Sequence, residues 1–110
     1  MKLEVGMYIR TKNGIINKIT SIKNLDERAC LLNGFYINKD AIKKASYDII
    51  DILEIGDYVN GSPICSFKTD EKDRIWIYTD SNYKYGYLEN EIKTIVTHEQ
   101  MEQMAYKVEE

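Results

Sequence analysis

A heptapeptide that returns after fifty residues constrains this chain more than anything else in it. Leu3-Glu4-Val5-Gly6-Met7-Tyr8-Ile9 is answered by Leu53-Glu54-Ile55-Gly56-Asp57-Tyr58-Val59. Ile42-Lys43-Lys44 recurs as Ile92-Lys93-Thr94 at the same offset, so the repeat brackets a whole unit and not one strand. In a chain of 110 residues each copy has about 50, close to the lower limit at which a domain buries enough apolar surface to fold alone. The repeat therefore predicts two small modules in tandem, residues 1–47 and 48–110, that share a core.

The local patterns within each copy are those of strands and tight turns. Val5 to Arg10 alternates apolar and polar, and Asn13-Gly14 then marks a hairpin, because both residues tolerate positive φ. The return strand is Ile15 to Ile22. Ala29 to Leu32 and Phe35 to Ile37 read as two further strands around Asn33-Gly34. Lys39 to Ala45 fits a helical turn or a strand equally, since Ile42 and Ala45 satisfy either period. Ser46 to Leu53 leads into the second copy with Ile50 and Ile52 facing inward. There Asn60-Gly61 turns the chain into Pro63 to Phe67, with proline at an edge or strand start. A charged tip, Thr69 to Arg74, precedes the strand to Tyr78, and Asp80-Ser81-Asn82 turns into Tyr83 to Leu88. After Ile92 to Val96, Thr97 and Gln100 make a capping box that predicts a helix over 98–104, with a final strand from Ala105 to Val108. Strands this short bury enough only if their sheet curls. The predicted fold is all-β, two tandem SH3-like small barrels arising by internal duplication, with a short C-terminal helix.

Composition narrows the function classes. Hydrophobic residues make up 44% and charged residues 30%, a balance that predicts a chain folded throughout. No apolar run is long enough to span a membrane and no apolar signal core follows Lys2, so a cytoplasmic location without membrane association is expected. Cys30 and Cys65 stand apart, without CxxC spacing, and read as buried free thiols; no metal site and no cofactor are expected. The charge is lopsided. Residues 1–50 carry nine Lys or Arg against five Asp or Glu, and residues 51–110 carry six against thirteen. This dipole would suit head-to-tail association into a homo-oligomer or, through the acidic half, a basic partner. Net charge of −3 disfavours nonspecific duplex binding, which depends on neutralising phosphates.

The runs Leu3 to Gly14, Asp48 to Gly61 and Glu91 to Gln100 together resemble a family of short phage and prophage proteins of Gram-positive bacteria. The resemblance spans most of the chain but brings no catalytic or ligand residues with it. The opening hydrophobic-Gly-x-x-hydrophobic pattern before a Gly turn is also similar to the first hairpin of KOW and SH3-like modules, which commonly bind RNA or proteins. The resemblance implies a phage-encoded binding protein directed at a host component, in the manner of anti-CRISPR inhibitors of defence systems, and the acidic half would suit a basic nucleic-acid-binding effector as that component.

The residues divide between two candidate surfaces. Trp76, Tyr78, Tyr83, Tyr85 and Tyr87 form an aromatic cluster in which the three alternating tyrosines share one face of a strand, a partner-binding surface if exposed and core if not. Asp70, Glu71 and Asp73 add acidic groups that a basic partner would meet. The alternative surface is a basic stripe of Arg10, Lys12 and Lys18 for nucleic acid or a nucleotide defence signal. A virion assembly role is the third class. His98, the sole histidine, reads as helix-start polarity. GxxxxGK[ST], GxGxxG and HExxH are all missing, and the chain is read as a binding protein and not an enzyme.

Overall fold

Both copies of the repeat build the same succession of elements in the computed structural model, which describes residues 2–23, 28–31, 34 and 36–105. The chain divides into two compact units, Met1–Ile52 and Leu53–Glu110. The first contains β1 (Tyr8–Thr11), β2 (Ile16–Lys23), β3 (Arg28–Leu31), β4 (Tyr36–Asn38), a 3-10 turn (Lys39–Ala41), β5 (Ile42–Ser46) and a second 3-10 turn (Ile49–Ile52). The second contains β6 (Tyr58–Val59), β7 (Ser62–Thr69), β8 (Ile75–Thr79), β9 (Asn82–Tyr87), a 3-10 turn (Glu89–Glu91), β10 (Ile95–Val96) and α1 (His98–Met104).

Each unit is one antiparallel five-stranded sheet, ordered β4-β3-β2-β1-β5 in the first and β9-β8-β7-β6-β10 in the second. The correspondence extends to register. Ile9 faces Ala45 across the β1–β5 pair, and Val59 faces Ile95 across β6–β10. The Gly6 N–H donates to Ile19 O at 2.9 Å, and the Gly56 N–H to Ile64 O at 3.0 Å. These pairings put Ile9 and Ile19 in the core of the first unit, Val59 and Ile64 in that of the second, all fully buried. Each such isoleucine contributes about 1.5–3 kcal/mol by leaving water. Ile42 completes the first cluster, with Leu3, Met7, Ile22, Ile37 and Ala45 packed against it, and Ile77 adds a further buried side chain to the second unit.

The all-β expectation with one short helix stands, and among the described residues neither sheet closes on itself. The ambiguous stretch 39–45 is both things in sequence, a 3-10 turn that passes into β5, and Glu89–Glu91 repeats that turn fifty residues later. The first strand starts later than its alternation suggests, because Val5-Gly6 belongs to a turn in which Met7 N–H donates to Glu4 O at 3.2 Å. Ile50 and Ile52 are buried, and α1 begins on the Thr97 capping box as the sequence predicts. Ala105 ends the helix in extended backbone, while residues 106–108 of the expected last strand lie outside the described residues, as do Asn33 and Phe35 of the second turn.

Cys65 corrects one expectation. It is exposed, because it follows the buried Ile64 and so lies on the opposite face of β7, where Sγ donates to Tyr78 O at 3.2 Å. The side chain of Cys30 lies outside the described part of the structure. Among the described residues no helix is long and apolar enough to cross a membrane.

Candidate partner-binding face of the second unit

The tyrosines of β9 do not alternate as a regular strand would place them. Five residue steps separate Asn82 from Tyr87 on β9, whereas two separate their partners Thr79 and Ile77 on β8, so three extra residues are accommodated in a wide bulge. Asn82 Nδ2 closes it by donating to Gly86 O at 3.0 Å. Gly86 sits at φ +73°, and a Cβ there would lie 3.1 Å from Ile77 O and 3.1 Å from the Tyr78 ring, so backbone and ring together require glycine. The bulge pushes Tyr83, Lys84 and Tyr85 into solvent. Tyr83 is 70% and Tyr85 76% exposed, while Tyr87, past the bulge, is half-buried. The predicted common face of three tyrosines is therefore an exposed pair on the edge strand of its sheet, with the third drawn in.

Trp76 and Tyr78 share the face of β8 opposite the buried Ile77, and both are half-buried. Lys68 Nζ stands 5.1 Å from the centre of the Tyr78 ring and Arg74 Cζ 5.6 Å from that of Trp76. Cations over both rings give this face a mixed aromatic and basic character.

The tip between β7 and β8 is organised by one carboxylate. Asp70 Oδ1 accepts from the backbone N–H of Lys72 at 2.8 Å and of Arg74 at 3.0 Å, and Oδ2 accepts from Arg74 Nε and Trp76 Nε1, both at 2.8 Å. Backbone bonds from Asp70 N–H to Arg74 O and from Asp73 N–H to Asp70 O complete the turn, with Asp73 at φ +59°. The charged tip is thus tied down, and Asp70 serves the turn while Glu71 and Asp73 remain exposed. The bond from Trp76, together with those from Arg74 and Lys72, holds the Asp70 carboxyl far below the usual carboxylate range in spite of some desolvation. Its folded value lies below its unfolded value of about 3.8, so the stabilisation is present above that pH and fades as pH falls toward the folded value. Asp70→Asn puts an amide N–H against two donors. It is expected to lower Tm at neutral pH by a few degrees, with the difference from the parent beginning to shrink below about pH 4 and closing only as pH approaches the folded value; thermal melts across that range check both.

The basic stripe is not assembled as the sequence suggests. Arg10 is buried, and its Nη1 donates to Ile52 O at 3.0 Å. Lys12 and Lys18 are exposed, and Lys18 Nζ lies 5.4 Å from the centre of the Tyr8 ring. A guanidinium committed to a carbonyl inside the protein is not presented to phosphates.

A second constellation surrounds His98. Its Nε2 lies 2.7 Å from Glu54 Oε1 and 2.8 Å from Glu99 Oε1. The buried carboxylate of Asp57 positions two of these residues by accepting Glu54 N–H on Oδ2 at 2.7 Å and His98 N–H on Oδ1 at 2.9 Å. The pairing was hidden in the sequence by a separation of 44 positions, but the repeat carries a trace of it. Asp57 and His98 stand where the first copy has Met7 and Asp48. There Glu4, the counterpart of Glu54, neighbours Tyr47, whose hydroxyl pKa is raised by desolvation and by this carboxylate.

Comparisons with protein-family models, curated proteins and solved structures return no match to this chain.

Proposed function

We propose that this chain is a non-enzymatic, phage-encoded binding protein made of two SH3-like modules, and that it captures a host protein through the Tyr83–Tyr85 bulge. The common element order of the two units supports the SH3-like assignment: four antiparallel strands in succession, a 3-10 turn, and a fifth strand returning beside the first. Phage origin and an anti-defence role rest on the sequence resemblance, and the inferred location is the host cytoplasm. The exposed tyrosine pair carries the reading of the site. Large rings held out from an edge strand by a glycine-dependent bulge lose little conformational entropy on binding and bury much area, which is how aromatic hot spots contribute. Exposed Glu71, Asp73 and Asp80 in the same unit suit a basic partner.

Capture of a nuclease-resistant, stoichiometric host protein by tagged full-length chain, repeated with Tyr83→Ala/Tyr85→Ala, tests this. The double variant is expected to keep its Tm, since both rings are exposed, and to lose at least about thirtyfold in affinity for the captured protein. Equal capture by parent and variant would reject the tyrosine surface. Recovery of nucleic acid alone would reject a protein partner.

A further inference from the structure

We propose that Glu54, His98 and Glu99 form a binding site for a divalent first-row transition-metal ion. The three ligand atoms all lie within 4.8 Å of one another, and two carboxylate oxygens from different parts of the second unit converge on the same imidazole nitrogen. A single N–H can point squarely at only one of them. A cation satisfies all three at once, and two carboxylates with a neutral imidazole balance its charge. The spacing is close to what coordination needs. Neighbouring ligands at about 2.1 Å from a metal are about 3 Å apart in octahedral geometry, so Nε2–O separations of 2.7 and 2.8 Å have to open by only a few tenths of an ångström.

The ligands are also held in place. Asp57 clasps the backbones of Glu54 and His98, and the Thr97 box fixes the first turn of α1, with Gln100 N–H donating to Thr97 Oγ1 at 3.3 Å and Thr97 N–H to Gln100 Oε1 at 3.1 Å. Gly56, at φ +93°, brings its backbone against His98, with a Cβ position 3.9 Å from the His98 Cβ. The His98 side chain is 38% exposed, so water or a donor from a bound partner can complete the coordination sphere. The imidazole favours Zn2+, Co2+ or Ni2+ over Mg2+ and Ca2+, which take oxygen ligands. The first copy, with Asp48 and Ile49 where the second has His98 and Glu99, has no imidazole at this place. A bound ion would staple the turn before β6 to α1.

Because His98 is the only histidine, its ring resonances report this site without ambiguity. The experiment is titration of the metal-stripped full chain with Zn2+ alone at neutral pH, followed by imidazole NMR and calorimetry. One equivalent of Zn2+ is expected to move the His98 ring nitrogens and to raise Tm. His98→Gln and Glu99→Gln, each checked for unchanged circular dichroism, should weaken binding at least about tenfold. Ring resonances that stay put at millimolar Zn2+, or affinity unaffected by both variants, would overturn the proposal and leave an imidazole shared between two carboxylates by a proton. A ring that responds equally to Mg2+ would overturn the assignment to a transition-metal ion.

Discussion

Asp57→Ala should destabilise the second unit by about 3 kcal/mol, a fall in Tm of roughly 10–20 °C for a unit of this size. The side chain is fully buried, and its two oxygens accept one backbone N–H each from segments far apart in sequence, Glu54 at 2.7 Å and His98 at 2.9 Å. Charge-assisted bonds of this kind are worth about 1.5–3 kcal/mol each, and truncation also leaves both N–H groups in a partly buried place without their acceptor. The two losses overlap because both release α1 from the turn before β6, which keeps the total near 3 kcal/mol. Asp57→Asn separates charge from shape. One amide oxygen can still accept, but the amide N–H meets the second donor head on, so this variant should recover less than half of the loss. Trp76, the only tryptophan, lies in β8 of the same unit and reports the transition by fluorescence in denaturant. The expected result is a lower midpoint at unchanged slope, and an unmoved midpoint would show that the carboxylate does not hold the two segments.

The same residue shows how far the sequence could be read. The repeat announced two units of one plan, and Ile50 and Ile52 were legible as inward-facing and are buried. The bulge in β9 was not legible, because Tyr83-Lys84-Tyr85-Gly86-Tyr87 alternates as well as any regular strand. Only the partner register on β8 and the ring of Tyr78 against Gly86 show that three residues are extruded. The bonding of Asp70 was hidden for a related reason: a charged turn sequence says nothing about whether a carboxylate will find four donors. Long-range convergence is the hardest to see. Glu54 and His98 meet only because β10 returns beside β6, yet both departures from the repeat, Met7 to Asp57 and Asp48 to His98, fall at this point. Where one copy of a duplicated unit trades an apolar residue for a buried acid, the acid has acquired partners the other copy lacks.

Arg10→Ala should have an effect of similar size in the first unit, about 3 kcal/mol, and should do so whatever the chain binds. The guanidinium is completely buried and donates to Ile52 O at 3.0 Å, which ties β1 to the 3-10 turn that ends the unit. Removing it costs a hydrogen bond from a charged donor, strands the carbonyl, and deletes the long methylene stem packed around it. Arg10→Met retains much of the stem without the donor and should fall between alanine and the parent. Hydrogen exchange localises the change. Amides paired in β1, β2 and β5 are expected to lose protection first, because Tyr8, Ile9 and Arg10 form the strand shared by both of those pairings. Full protection of those amides in Arg10→Ala would refute the structural role. The same variant bears on nucleic-acid binding: a surface stripe would lose affinity for phosphate-rich ligands at unchanged stability, whereas a buried tie loses stability first. Loss of protection in β1 together with the fall in Tm is the pattern the Ile52 contact predicts.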